Sequence, residues 1–448
     1  MGQVGAPVVL PIPYRDPLIA FAPLADTPMA VLLDSALETA QGRASYIAVD
    51  PRRVIRAGSH PWAHDPFAAV AEALGAKQKP VDLPVPFTGG AVGFFAYELG
   101  GVLENLPSPR ARMFADDAVV GIYDLVAAFD HASQEAWVIA RGADAMERAT
   151  ALVRRLGTAP LPPEPGPART PWRAEITRAD HEGNVRAAIE LIRAGDIFQA
   201  NITQRFIADA PRDLDWFGIY RRLRSRAAGP FSAFLNFGTL RLLSASPERF
   251  LTLSRQGHVE TRPIKGTRPR GTRPADDADL AQALRGSPKD RAENLMIVDL
   301  LRNDLARVCE PGSIDVPVLQ ALESFPAVHH LVSVVTGTLR KDATAIDLLR
   351  ACFPGGSVTG APKIRAMEII HDLEAGPRGP YCGTVAWLGF DGAMDSSIVI
   401  RSLVGDDAHI YAQAGGGIVA DSDPALEYAE SLVKVAPLLA ALNDSAGA

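Results

Sequence analysis

A mixed α+β protein is what this sequence predicts, on three observations. Short runs rich in β-branched and aromatic residues, bounded by Gly, Pro or Asp, recur through residues 8–150 and again through 197–254. Amphipathic segments opened by good N-cap residues follow each set. A chain of 448 residues, 47% of them hydrophobic, holds enough apolar surface for a large core.

Taken in order, strand-length runs fall at residues 30–35, 44–49, 89–97, 118–126 and 136–140. Residues 157–171 then carry Pro160, Pro162, Pro163, Pro165, Pro167 and Pro171, too many for a helix or a central strand. That stretch is expected to be a linker or a surface crossing. The expected division is an N-terminal region at 1–156, the proline-rich linker at 157–174 and a catalytic region at 175–440. Thr177 caps a helix that continues through Val185, Ala188, Ile189 and Ile192 to Gly195. In the strand that follows, Phe198, Ala200, Ile202 and Phe206 form one face, and Gln199, Asn201, Thr203 and Arg205 the other. The polar face is either solvated or lines a polar cavity. Further strands are expected at 231–237, 240–245 and 249–254.

Composition removes several classes of function. A formal charge of −7 argues against a nucleic-acid or anionic-membrane partner. Cys309, Cys352 and Cys382 are far apart and odd in number, which suggests neither a disulfide framework nor a zinc site and fits a reducing cytoplasm. No apolar stretch reaches the roughly 18 residues needed to span a bilayer. The N-terminus has neither a basic run before its apolar residues nor a myristoylation signal, so a cytoplasmic protein is expected.

Chemistry concentrates on one lysine. Lys265 stands between Pro263-Ile264 and Gly266, a strand end that turns sharply with its amine held in place. Arg262, Arg268, Arg270 and Arg273 surround it in sequence and read as a site for a small anion. A neighbouring cation and partial burial both disfavour an ammonium, which makes Lys265 a candidate nucleophile; the stretch also reads as a basic loop with a solvated lysine. Two helices carry the acids. Ser287-Pro288 opens one with Asp290, Glu293 and Ile297 on a stripe, and Asp423-Pro424 opens the other with Glu427, Glu430 and Lys434 on a stripe. If both stripes face one cavity, a hard cation such as magnesium would relieve their repulsion; singly, each is a solvated helix face. Residues 353–365 resemble a phosphate loop but fail its pattern, because Lys363 stands two places late and no hydroxyl follows. The loop still offers backbone N–H groups to an anion ahead of a helix at 364–373. Gly415-Gly-Gly417 marks a close backbone approach or a tight turn, and Arg401 ends an apolar run with a guanidinium fork suited to carboxylates.

Together, Gly195-Asp-Ile-Phe-Gln-Ala-Asn201, Ser246-Pro-Glu-Arg-Phe250, Arg262-Pro-Ile-Lys-Gly-Thr267, Arg291-Ala-Glu-Asn-Leu-Met-Ile-Val-Asp299, Gly355-Gly-Ser-Val-Thr-Gly-Ala-Pro-Lys363 and Ala414-Gly-Gly-Gly-Ile418 resemble the chorismate-utilising enzymes. Leu32-Leu-Asp-Ser-Ala36 and Gly121-Ile-Tyr-Asp124 resemble the N-terminal half of the anthranilate and aminodeoxychorismate synthases. The likeness covers nearly the whole chain and implies a large α+β unit of two β-sheets packed as a sandwich with helices outside, the fold of anthranilate synthase component I. Gln199 stands where hydrating relatives have a lysine base. Pro-Ile-Lys-Gly-Thr replaces the Pro-Ile-Ala-Gly-Thr usual in anthranilate synthases and is the pattern of the aminodeoxychorismate-forming branch.

That resemblance implies a transferase that makes 4-amino-4-deoxychorismate from chorismate for 4-aminobenzoate and folate biosynthesis. Lys265 would attack the ring and Glu248 would protonate the leaving oxygen. Magnesium would be held by Glu293 and Glu430 with Asp290 and Glu427 close by. Thr267, His330, Tyr381, Arg401, Gly415, Gly416, Gly417 and Lys434 would bind substrate, although His330 also reads as a core histidine. Ammonia would come from a separate glutamine amidotransferase subunit, component II, since no glutaminase cysteine motif is present. The chain ends soon after Lys434, so the lyase completing 4-aminobenzoate is expected to be separate. Ser35 would belong to a tryptophan pocket, whose second wall departs from the family pattern as Ala227-Ala-Gly-Pro-Phe-Ser232. The rivals are an anthranilate synthase component I and a silent chorismate- or nucleotide-binding regulator; Glu248, Lys265, Glu293 and Glu430 favour catalysis.

Overall fold

A computed structural model describes residues 6–443 except 38, 40, 59–64, 108–111, 165 and 326–327. Residues 1–5 and Pro165 of the proline-rich stretch thus lie outside the described residues. The described strands form two antiparallel sheets. One runs from Val8–Ile12 at its edge through Val31–Asp34, Phe231–Asn236, Arg241–Ser246, Ser402–Gly405 and His409–Ile418 to Gln199–Asp209 and Gly360–Ala361. The other runs from Ile264–Pro269 through Val328–Thr338, Arg249–Leu253, Met394–Ile398, Thr384–Gly389 and Gly90–Phe95 to Arg53–Ala57.

Alternation along the strands makes the sandwich. Val31 and Phe94 enter the layer between the sheets with Tyr46, Phe87 and Trp387. Their neighbours Leu32 and Phe95 point the other way, into the two layers that the outer helices cover. Helix Pro424–Asn443 covers the first sheet through Val435, Leu438, Ala441 and Leu442. Helix Pro288–Ala306 covers the second through Ile297, Val298, Leu301 and Leu305. Each large side chain buried this way contributes roughly 1.5–3 kcal/mol. The proline-rich stretch divides the sequence but neither sheet, because Val31–Asp34 pairs with Phe231–Asn236 and Gly90–Phe95 pairs with Thr384–Gly389.

The caps behave as their residue types dictate. Thr177 and Asp180 form a reciprocal capping box on helix Arg178–Arg193. The Ser287 hydroxyl accepts from the Asp290 amide, and the Asp423 carboxylate accepts from the amides of Ala425 and Leu426. Two expectations need correction. Phe198 lies outside the apolar face, 68% exposed, because the strand starts at Gln199. The run at 118–126 is two strands, Ala118–Tyr123 and Leu125–Asp130, which belong to different sheets. Of the two readings open for the polar face, burial of Gln199, Asn201 and Thr203 removes the solvated one.

Candidate active site

Two chain crossings between the sheets build one wall of the site. Ser246-Pro247-Glu248 leads from strand Arg241–Ser246 in the first sheet to Arg249–Leu253 in the second, and residues 399–401 return from Met394–Ile398 to Ser402–Gly405. The crossings are tied together, since the Ser246 hydroxyl donates to the Ile398 carbonyl at 2.7 Å and the Ile398 amide to the Glu248 carbonyl at 3.2 Å. Glu248 is thereby held at one crossing and Arg401, at φ +52°, on the other. The Arg401 guanidinium donates to the Lys434 carbonyl at 2.7 Å.

Lys265 sits on strand Ile264–Pro269, which does not end in a sharp turn. The register against Val328–Thr338 slips between Lys265 and Thr267, so Gly266, at φ +81°, is the extra residue of a β-bulge. A Cβ there would lie 2.8 Å from Leu284 Cδ1 and 2.9 Å from Asp290 Oδ1. Glycine therefore lets the strand bend against the acidic helix. The half-buried Lys265 amine donates to the Ser357 carbonyl at 2.9 Å. Burial pushes its pKa down from the ordinary lysine value, against the opposing pull of Glu293 and Glu248. Burial pushes the Glu248 carboxyl up, although the Ser357 hydroxyl and Lys265 beside it resist. Both shifts have one cause, since burial disfavours the charged form of each group.

The arginines near Lys265 do not form an anion site. Arg262 pairs with Glu323 at 2.5 Å, Arg268 with Asp290 at 2.8 Å, Arg270 with Asp277 at 2.7 Å and Arg273 with Asp276 at 2.7 Å. Acids on neighbouring elements neutralise each of them. The cation that counts toward the lowered Lys265 pKa is Lys434. Lys363 is likewise spent inside the fold, on Asp304 and the Cys352 carbonyl, both at 2.7 Å.

Helix stripes Asp290–Glu293 and Glu427–Glu430 do face one another. Lys289 Nζ reaches Glu427 at 3.7 Å, and Glu427 raises the pKa of Glu293. Among the described residues no three His, Cys, Asp or Glu side chains close into a metal cage. Asp290 is committed to Arg268, and Glu430 is paired with Lys434 at 2.6 Å. Burial alone would raise Glu430, but Lys434, Lys289 and Lys265 hold it below the usual carboxylate range. Glu293 has no ion-pair partner within 4 Å among the described residues, and Glu427 accepts from the Ser422 hydroxyl at 2.7 Å; burial raises both. A half-buried and a buried acid with raised pKa values suit a hard cation that takes one or two carboxylates and completes its shell from water and substrate oxygens.

Ladder parity decides which of the three glycines offer amides. The Thr203 amide donates to Glu374 at 2.9 Å and the Asn201 amide to the Thr359 carbonyl at 2.8 Å, so neither faces strand His409–Ile418. Their partners Gly415 and Gly417 thus present their N–H groups at the far edge, where Lys434 Nζ meets the Gly415 carbonyl at 2.9 Å. Gly416 pairs with Ile202, so its amide is spent in the ladder, contrary to the expectation that all three bind substrate. Its missing Cβ instead leaves room for Glu427, whose Oε2 would lie 3.0 Å away.

Thr267 and His330 are opposite one another across the strands, hydroxyl to Nδ1 at 3.0 Å. Burial lowers the His330 pKa to about 4, so the imidazole is neutral. Tyr381 is buried, and burial raises its pKa. Ser35 lies apart from this group. Its hydroxyl donates to the Ala44 carbonyl at 2.7 Å, and it lines a cavity of about 440 Å³ bounded also by Arg249, Phe231, Trp387 and Asp395. Ser357, which touches both Lys265 and Glu248, and Lys289 had no role assigned from the sequence. Ser357 lies in a quoted motif, but no periodicity gives its neighbours.

Two carboxyl-bearing helices, an amine beside a buried acid, and a glycine strand edge with open amides make a site for a small polyanion. The family model described as chorismate binding enzyme matches residues 32–440, and the chain belongs to that family. Aminodeoxychorismate synthase component 1 of Klebsiella aerogenes is 44% identical over 97% of this chain and 98% of its own. Anthranilate synthase component 1 of Thermus thermophilus is 40% identical over 95% of each. The crystal structure of anthranilate synthase component I from Streptococcus pneumoniae superposes with a TM-score of 0.78 at 33% identity, covering 89% of this chain and 92% of that one. The two-sheet α+β sandwich is the fold of that relative.

Proposed function

We propose that the chain converts chorismate and ammonia to 4-amino-4-deoxychorismate and water, as component I beside a glutamine amidotransferase that supplies the ammonia. Support comes chiefly from one observation: the Lys265 amine, with its pKa lowered, stands in the group that includes Glu248, whose carboxyl burial pushes up. The naming of relatives such as the Klebsiella protein as component 1 supports the two-subunit arrangement. The neutral amine adds at ring C2, both conjugated ring double bonds shift, and the C4 hydroxyl leaves as water with the proton of Glu248. The resulting carboxylate takes the surplus proton from the alkylated amine. Ammonia then bonds at C4, both double bonds return, and Lys265 leaves C2 with the proton of Glu248, whose carboxylate takes the surplus proton of the new ammonium group, so two moderate steps replace one hard one. Arg401, Tyr381, Lys434 and the Gly415 and Gly417 amides hold the substrate carboxylates, and Thr267 and neutral His330 a hydroxyl group. Glu293 and Glu430, with Asp290 and Glu427 close by, would hold magnesium, which when bound would supply charge neutralisation at the ring carboxylate.

Gln199 places no base where a water would need activation, which supports amination over hydration. Among the described residues no helix is long and apolar enough to cross a membrane, in keeping with the cytoplasmic location proposed for the chain. A separate lyase acting on the released product completes 4-aminobenzoate. The Ser35 cavity is proposed to take tryptophan, a binding measurable by titration calorimetry.

Incubation with chorismate, ammonium and magnesium, followed by chromatography with and without an added amidotransferase and lyase, tests the assignment. Aminodeoxychorismate, turned into 4-aminobenzoate only when lyase is added, is the expected result. Direct release of anthranilate would favour the reaction named for the Thermus relative. Chorismate left unconsumed from neutral to alkaline pH would leave a regulator.

A further inference from the structure

One buried guanidinium outside the substrate-binding group joins several segments that build the site. Arg378 is 1% exposed. Its Nε and Nη2 grip the Glu374 carboxylate at 2.9 and 2.7 Å, Nη1 donates to the Val358 carbonyl at 2.9 Å, and Nη2 donates to the Asn201 carbonyl at 2.6 Å. Glu374 in turn accepts from the amide and hydroxyl of Thr203. Replacing a buried ion pair by apolar residues often leaves stability unchanged or improves it, so stability alone gives such a pair little reason to be here. What it holds is more informative. Val358 follows Ser357, the residue whose carbonyl receives the Lys265 amine.

We propose that Arg378 is a positioning residue, one that fixes the 355–359 loop so that the Ser357 carbonyl aims the Lys265 amine and the Ser357 hydroxyl stays beside Glu248. Strand Gln199–Asp209 has ten paired positions with His409–Ile418 and keeps its place without Arg378. The short loop has fewer hydrogen bonds to other segments: the Arg378 bond, the Asn201 amide on the Thr359 carbonyl and the Lys265 amine on the Ser357 carbonyl, while the amides of Val358 and Thr359 and the Thr359 hydroxyl bond within the loop. Loosening it therefore moves the amine and acid and leaves the carboxylate-binding edge in place. A lysine cannot substitute, because a compact ammonium with three donors cannot span four acceptors lying along the planar fork.

This inference rests on Lys265 being the nucleophile. Its test is steady-state kinetics of chorismate amination by the full-length wild type and Arg378→Lys, with thermal melting to show that the variant folds. A displacement on the order of 1 Å costs about 100-fold, so kcat is expected to fall about 10- to 100-fold while KM for chorismate stays within about threefold. A folded Arg378→Lys with wild-type kcat, or with its loss entirely in KM, overturns the proposal. If Arg378→Lys does not fold, Thr203→Val, which removes one anchor of Glu374 and leaves the guanidinium in place, is expected to lower kcat about threefold to tenfold at constant KM, and an unchanged kcat overturns the proposal. A wild type that makes no product overturns the functional reading itself, a result distinct from an active wild type matched by its variants.

Discussion

Lys265→Ala separates chemistry from folding, because the lysine contributes little to one and everything to the other. Its single hydrogen bond, to the Ser357 carbonyl, contributes about 1.5–3 kcal/mol when the amine is charged. Holding a charged amine half-buried offsets most of that, as the lowered pKa records. The net change in stability is expected to stay within about 1 kcal/mol, a shift of a few degrees or less in Tm. The catalytic loss is larger. Without the amine, ammonia has to displace the C4 hydroxyl directly, and loss of the covalent route is expected to cost at least about 10³-fold, or about 4 kcal/mol of barrier. Chromatography of 4-amino-4-deoxychorismate beside circular-dichroism melting reads both quantities. Residual ring amination at C2, giving some anthranilate-like product, is compatible with the substitution. Undiminished aminodeoxychorismate formation by the folded variant would refute the nucleophile.

Three further outcomes follow from the geometry. Glu248→Gln is expected to lower kcat about 10²- to 10⁴-fold. Because burial raises the Glu248 pKa, the wild-type rate should fall as pH climbs through that value and the carboxyl loses its proton. The same group binds a proton in the folded state that the unfolded chain has released, so its contribution to stability is present below the unfolded pKa and lost as pH rises through the folded one; thermal melts should show Glu248→Gln gaining on wild type between acid and neutral pH. Magnesium titration of activity should separate the acids: Glu293→Gln raises the half-saturating concentration at least about tenfold, while Asp290→Asn, a residue already committed to Arg268, changes it less than about threefold. Gly415→Ala puts a Cβ 2.1 Å from the Ile202 carbonyl oxygen and should destabilise the strand, whereas Gly416→Ala meets the ends of flexible side chains, Glu427 at 3.0 Å, Glu430 at 3.6 Å and Lys434 at 3.8 Å, and should fold while weakening magnesium dependence; Tm and activity read the two apart.

Local features of this fold were legible because their causes are local. Thr177, Ser287 and Asp423 sit next to the amides they cap, and the alternation of the 199–209 strand follows from residues two apart. The sandwich came from the family resemblance, since periodicity alone does not say which strand pairs with which. Where expectation failed, the deciding partner was distant in sequence. Arg262 finds Glu323 and Arg268 finds Asp290, so a basic stretch becomes a set of neutral pairs. Phe198 is exposed because the strand begins one residue later, after its amide has reached the Ala361 carbonyl. Gly416 differs from Gly415 and Gly417 only through ladder parity, which register sets and a run of identical residues conceals. Lys265 was legible as a candidate from its neighbours, but the bulge at Gly266 and the Ser357 carbonyl that aim it belong to the folded state.

Covalent capture tests the central claim most directly. Wild-type protein mixed with chorismate and magnesium in the absence of ammonia, quenched and digested, should yield a peptide containing Lys265 heavier by one chorismate less one water. An active enzyme that gives no adduct, or carries it on another residue, would contradict the account.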